Sequence, residues 1–218
     1  MLDLNDGRKM PQFGFGTYKI ADDVVADAVR GAIEDGYRLI DTAHIYHNER
    51  GVGEGLKGHD DIFVTTKVWN SEQGAEKSRA AVEESLRKMG RDSVDLVLIH
   101  WPCPAQGLYL ETWETLIAMR EEGKTKSIGV SNFMPEHLDD IVEKTGVAPV
   151  VNQIELHPWF QQPDVVAANE RHGIVTQCWS PLARGDNFDE PVLVDIARTH
   201  DADVGAVILA WELAPGFS

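Results

Sequence analysis

Short apolar runs alternate along the chain with longer stretches in which apolar residues recur every three or four positions. The runs read as strands at Phe13–Tyr18, Arg38–Ala43, Ile62–Val68, Val94–Trp101, Lys126–Ser131, Val150–Glu155 and Ile174–Trp179. They are nearly continuous in apolar and β-branched residues, the pattern of strands covered on both faces. Between them a 3.6-residue period predicts helices over Asp22–Asp35, Asn48–Lys57, Glu76–Met89, Leu108–Glu121, Pro135–Lys144 and Pro163–His172. Two more follow over Pro191–His200 and Val204–Leu213. The first helix carries one stripe made by Val24, Val25, Ala28, Val29, Ala32 and Ile33, and Gly36 stands just past its end, where a left-handed cap is favoured. Before the first run, Asn5-Asp6-Gly7-Arg8 is a turn signal, so residues 2–11 are expected to form a hairpin.

Seven strand–helix units in one order predict a parallel sheet with helices outside it, a single α/β domain over 1–218. A (β/α)8 barrel fits best, although such barrels usually take about 250 residues. Its eighth strand would begin at Gly216-Phe217-Ser218, so the expectation is a barrel lacking that strand and the helix beyond it. The doubly wound alternative wants Gly-x-Gly-x-x-Gly after the first strand. Gly14-Phe15-Gly16-Thr17-Tyr18-Lys19 has only the first two glycines, which sets that alternative aside.

Composition narrows the functional classes. A net charge of −16 without a basic stripe argues against nucleic acid and anionic membranes. No window approaches the ~18 consecutive apolar residues of a membrane span. The opening residues lack the basic-then-apolar order of a secretory signal. Cys103 and Cys178 form no Cys-x-x-Cys and read as thiols of a reduced, cytoplasmic protein.

Candidate chemistry gathers where strands end. Asp41, Tyr46, Lys67 and His100 each close or follow a successive run, and the C-terminal ends of barrel strands converge on one mouth. Singly, each has a bland reading: a cap, an edge lysine, a packed tyrosine, a core histidine. Together they equip a site to protonate a carbonyl oxygen. A free phenol, with a pKa of about 10, is a poor donor near neutrality, and a cation beside it lowers that value. Lys67 would be that cation, held by Asp41. Tyr46 and His100 would meet the negative charge that grows on a carbonyl during hydride addition.

The segment Gly36-Tyr-Arg-Leu-Ile-Asp-Thr-Ala-His-Ile-Tyr-His-Asn-Glu49 resembles the signature of the aldo-keto reductases. Thr66-Lys67-Val-Trp69, Val94–Pro102, Lys126–Phe133, Val151–Pro158 and Trp179-Ser-Pro-Leu182 resemble further segments of that family, in order along the whole chain. The likeness leans to the bacterial 2,5-diketo-D-gluconate reductase-like branch. It implies an NADPH-dependent reductase of aldehydes and ketones, keto sugars among them, on a (β/α)8 TIM barrel with no metal. By matching positions, Tyr46 would be the general acid of a tetrad completed by Asp41, Lys67 and His100. Ser131, Asn132 and Gln153 would hold the nicotinamide carboxamide, and Trp179 would stack on its ring. Gly16 and Thr17 would lie beside the cofactor through their backbone, with Ser180, Leu182 and Arg184 near the pyrophosphate. Tyr18, His47, Trp69 and Trp101 would line the substrate mouth.

The family's segment that grips the adenosine 2′-phosphate would lie beyond Ser218, which leaves NADPH against NADH open. Unpaired edges on the first and seventh strands are expected to reduce stability, weaken cofactor binding, or invite closure by another chain. A sub-micromolar NADPH affinity measured on these 218 residues would contradict the weakening. Two rival readings stand beside the reductase. One is a catalytically inactive barrel that binds cofactor or a partner. The other is a metal-assisted hydrolase built on His44, His47 and Glu49, whose His-x-x-His-x-Glu spacing departs from the i, i+4 ligand pair of a helix.

Overall fold

A computed structural model describes residues 1–218. The hairpin is present: β1 (Leu2–Asp3) pairs antiparallel with β2 (Lys9–Met10). Seven strands follow, β3 (Phe15–Gly16), β4 (Leu39–Asp41), β5 (Phe63–Val68), β6 (Val94–Ile99), β7 (Thr125–Ser131), β8 (Val151–Glu155) and β9 (Val175–Trp179). They form one parallel sheet in chain order, curled into a barrel of the (β/α)8 type without its last strand. The helices are α1 (Val25–Glu34), α2 (Glu49–Gly55), α3 (Ala75–Met89), α4 (Tyr109–Glu121), α5 (Pro135–Thr145), α6 (Pro163–Arg171), α7 (Pro191–Thr199) and α8 (Val204–Leu213). Every expected element appears. The largest difference is the first barrel strand, which shrinks from six expected residues to Phe15–Gly16. Four 3-10 turns were not expected, and one of them, His44–Tyr46, carries the candidate acid.

Strand alternation sorts the side chains into two cores and one polar mouth. Outward residues such as Ile40, Val64, Val68, Val97, Ile99, Ile128 and Val130 pack against the helices. Inward residues are apolar at the lower end, where Leu39, Phe63, Leu96, Leu98 and Val151 meet Leu4 and Met10 of the hairpin. Residues i and i+2 share a face, so the same inward rows continue upward into Asp41 after Leu39, Lys67 after Phe63 and Thr65, His100 after Leu98, and Gln153 after Val151. The hairpin plugs the opposite end: Asn5 donates to the Pro149 carbonyl at 2.8 Å, and Ser127 donates to Asp6 at 2.7 Å. One end is therefore sealed by apolar contact and the other is left for chemistry.

The two sheet edges are β3 and β9. Ser218 meets the β9 edge, accepting from the Cys178 amide at 2.7 Å and donating to the Thr176 carbonyl at 3.1 Å. Gln12, ahead of β3, reaches across to the carbonyls of Leu213 and Phe217.

Helix α2 lies between α1 and α3 through Gly51, Gly53 and Gly55. A Cβ on Gly51 would run into the Asp22 carbonyl, one on Gly53 into the backbone of Met89, and one on Gly55 would lie 2.8 Å from the Ala26 carbonyl. Backbone cannot yield as a side chain can. Gly53→Ala is therefore expected to destabilise the fold by about 1–3 kcal/mol, the usual cost of overpacking. Urea denaturation checks this. An unchanged midpoint would show that α2 can shift.

Candidate active site

Lys67 is the centre of the site. Its side chain is fully buried in β5, and its ammonium donates to Asp41 Oδ1 at 2.5 Å, to the Thr42 carbonyl at 3.0 Å and to the Tyr46 hydroxyl at 3.4 Å. Three N–H donors thus meet three acceptors. Because the phenol oxygen accepts from Lys67, its own proton is free to point elsewhere. Burial alone would disfavour the ammonium, but the Asp41 carboxylate and the Tyr46 oxygen outweigh it and hold the Lys67 pKa above its ordinary value.

The phenol itself departs from the expectation of a lowered pKa. Burial raises it, Lys67 pulls it down as foreseen, and Asp41 pushes it up again; the balance lies above the ordinary value. Desolvation of the anion wins because Tyr46 sits beneath Tyr18, with ring centroids 5.0 Å apart, and beside His100 at 5.9 Å. Tyr46 consequently keeps its proton through neutrality. His100 is driven the other way. Burial, and then the Lys67 cation, push it down to about 3, so the imidazole is neutral and can donate one N–H. Its Nδ1 is buried and has no partner within the protein.

A cleft of about 640 Å³ opens over these groups. Among its lining residues are Asp41, Tyr46, His100, Tyr18, Trp69 and Trp101, and on the side of β7 to β9, Ser131, Asn132, Gln153 and Trp179. Ser180, Leu182, Arg184 and Gly16 border it as well. Trp69 stands edge-on to His100 at 4.9 Å. Trp179 is fixed by its indole N–H, which donates to Asn132 Oδ1 at 2.8 Å. Asn132 in turn donates to the His100 carbonyl and to Ser131 Oγ, both at 3.0 Å, and Ser131 donates to the Gln153 carbonyl at 2.7 Å. Gln153 donates to Asp41 Oδ2 at 2.8 Å and to Gln177 Oε1 at 2.6 Å. One network therefore joins the wall of the cleft to Asp41 and to the His100 carbonyl.

Thr17, expected beside the cofactor through its backbone, is buried, and its amide and hydroxyl both bond back to the Asp41 carbonyl. Two sequence expectations do not match this geometry. His47 does not line the cleft. It ends the 3-10 turn in the left-handed region, with φ 57°, and faces solvent. The same turn separates the proposed metal donors, since His44 and Glu49 lie together while His47 is exposed.

Sequence reasoning also missed supporting groups. Asn48 donates to the carbonyls of Thr17 and Ile20, both at 2.9 Å, and accepts from Thr42, tying two mouth loops together. Gln177 stands in register with Gln153. Its signal was a second polar residue, after Thr176, inside a mostly apolar run. Glu212 borders the cleft near Cys178, and burial pushes its carboxyl up to about 8.

Gly16, Ser180 and Arg184 could hold a dinucleotide phosphate, and Trp179 with the amide cluster could hold a flat ring. The fit is supported by the open space beside Gly16, where an added Cβ would meet nothing within 4 Å. No helix is long and apolar enough to cross a membrane.

Comparison with known proteins places the chain. Methylglyoxal reductase DkgA of Salmonella typhimurium is 44% identical over 222 residues, spanning 99% of this chain and 80% of its own length. The uncharacterized oxidoreductase YtbE of Bacillus subtilis is 43% identical over 222 residues, spanning 98% of this chain and 79% of its own. Among solved structures, an aldo/keto reductase from Brucella melitensis superposes with a TM-score of 0.95 at 47% identity, over 99% of this chain and 85% of its own. A mutant of Gox0644 in complex with NADPH gives 0.97 at 47% identity, over 99% and 80%. The sequence model of the Aldo/keto reductase family matches residues 11–217, and the chain belongs to that family.

Proposed function

We propose that this protein reduces small aldehydes and ketones, 2-oxoaldehydes such as methylglyoxal among them, to alcohols, with Tyr46 as the proton donor. As an aldo-keto reductase it is an NAD(P)H-dependent oxidoreductase. NADPH is the cofactor that similar structures hold, and when bound it supplies the hydride. The protein's own residues do the rest. Trp179 offers a flat, hydrogen-bonded face that restricts a ring to one orientation. Gln153 Oε1 and the second lone pair of Asn132 Oδ1 are free to accept from a carboxamide, while both Gln153 N–H groups are engaged. Arg184 supplies a cation for phosphate.

The carbonyl oxygen would lie between the Tyr46 hydroxyl and neutral His100. His100 donates one hydrogen bond that orients the oxygen, and Tyr46 gives up its proton as charge develops there. Lys67 stabilises the phenolate that is left, and Asp41 keeps Lys67 charged and in place. Tyr18, Trp69 and Trp101 wall the mouth with aromatic surface and few polar groups, which suits small carbonyl compounds.

The observation that carries this reading is the Lys67 ammonium bonded at once to Asp41 and to Tyr46 beneath an open cleft. Loss of NADPH absorbance on adding methylglyoxal tests it. Turnover with methylglyoxal and with unrelated small aldehydes is expected. Bound NADPH without consumption by any of them would favour the inactive barrel.

A further inference from the structure

We propose that Glu49 and His44 form a pH-sensitive clasp that positions Tyr46 and Lys67, an inference that rests on the reading of Tyr46 as the acid. Glu49 opens α2 and is 1% exposed, yet it makes a single hydrogen bond. Its Oε1 accepts from Thr66 Oγ1 at 2.7 Å, and Thr66 is the residue before Lys67 in β5. Its Oε2 has no hydrogen-bond partner and lies 3.7 Å from His44 Nδ1. His44 begins the 3-10 turn that ends at Tyr46. One buried carboxylate thus touches the residue before Lys67 and the residue two before Tyr46, on the two backbone segments that meet at the reactive phenol. A buried carboxylate with so little compensation is costly, and His44 is the group beside it that can carry a balancing charge.

The groups facing His44 are few. Glu49 comes from α2. From α3, Ser85 Oγ lies 3.5 Å from Nδ1, with Glu84 and Lys88 nearby. The Glu49 carboxylate raises the His44 pKa; burial and Lys88 oppose it, Glu84 assists, and the balance lies above the ordinary imidazole value. A group raised on folding contributes stability fully below its unfolded pKa of about 6.5, and loses that contribution as pH rises through the folded value. The clasp is therefore closed below the unfolded value and loosens as pH rises through the folded value of His44.

The test uses the whole chain with His44→Gln, Glu49→Gln and Tyr46→Phe. By NMR, the His44 ring is expected to titrate above the ordinary range in the wild type and to drop in Glu49→Gln, where burial and Lys88 are opposed by Glu84 alone. An unchanged midpoint would overturn the clasp. In turnover with NADPH and methylglyoxal, His44→Gln is expected to lower kcat about tenfold below the His44 midpoint, less than the roughly hundredfold that misplacing a reacting group by about 1 Å can cost. Above that midpoint it should converge on the wild type, with the KM for NADPH unchanged throughout. A kcat ratio constant across pH would indicate a merely structural role and overturn the proposal. If Glu49→Gln does not fold, the pH profile of His44→Gln decides. Wild-type activity in Tyr46→Phe would remove the proposed proton donor, whereas the ring titration reports on the clasp whichever way that variant behaves.

Discussion

Tyr46→Phe is expected to lower kcat for carbonyl reduction by roughly a hundredfold to ten-thousandfold, the range attributed to a positioned general acid, with NADPH affinity unchanged. The substitution removes one oxygen atom and little else. The ring would keep its contacts with Tyr18 and His100. Lys67 would lose its longest hydrogen bond, the one at 3.4 Å, and retain Asp41 and the Thr42 carbonyl. Stability should therefore change little, and the loss should fall on kcat rather than on KM. Stopped-flow binding of NADPH beside steady-state turnover separates the two. Weakened NADPH binding equal to the lost activity would instead make Tyr46 a cofactor contact.

Lys67→Met is expected to damage both activity and fold. Its ammonium is the only positive charge within hydrogen-bonding distance of Asp41, whose side chain is 15% exposed, and breaking a buried pair by removing one partner costs about 3–5 kcal/mol. The phenolate left by proton transfer would also lose its stabilising cation. Replacing both partners by neutral groups is far less costly than removing one. Lys67→Met combined with Asp41→Asn should accordingly recover much of the stability and none of the turnover. Chemical denaturation and NADPH consumption on the single and double variants check this. Recovery of activity in the double variant would show that Lys67 matters only for folding.

How far the site could be read from the residues depended on what set each position. Asp41, Lys67 and His100 were legible because each closes an apolar run, and strand alternation then places all three inside the barrel mouth. His47 was not, because its orientation depends on local backbone geometry: it ends a 3-10 turn in a left-handed conformation. The direction of the Tyr46 shift differs from the sequence expectation for a related reason. The charge of Lys67 is visible in the sequence, while the burial that outweighs it comes from rings brought together only by folding. Glu49 stood out in the sequence only as a metal donor, since its contacts with Thr66 and His44 require β5, α2 and α3 to be assembled.

The central claim is that the Tyr46 phenol supplies the proton, and the pH dependence of kcat/KM for reduction tests it most directly. Wild type and Tyr46→Phe would be followed from neutrality into the alkaline range. Beyond the roughly tenfold decline that loosening of the clasp gives through the His44 midpoint, the wild-type value is expected to show a second, steeper fall only above the ordinary tyrosine range of about 10, because burial keeps the phenol protonated until then. The variant, slow throughout, should show no such fall. An identical fall above that range in both proteins, or wild-type rates in the variant, would contradict it.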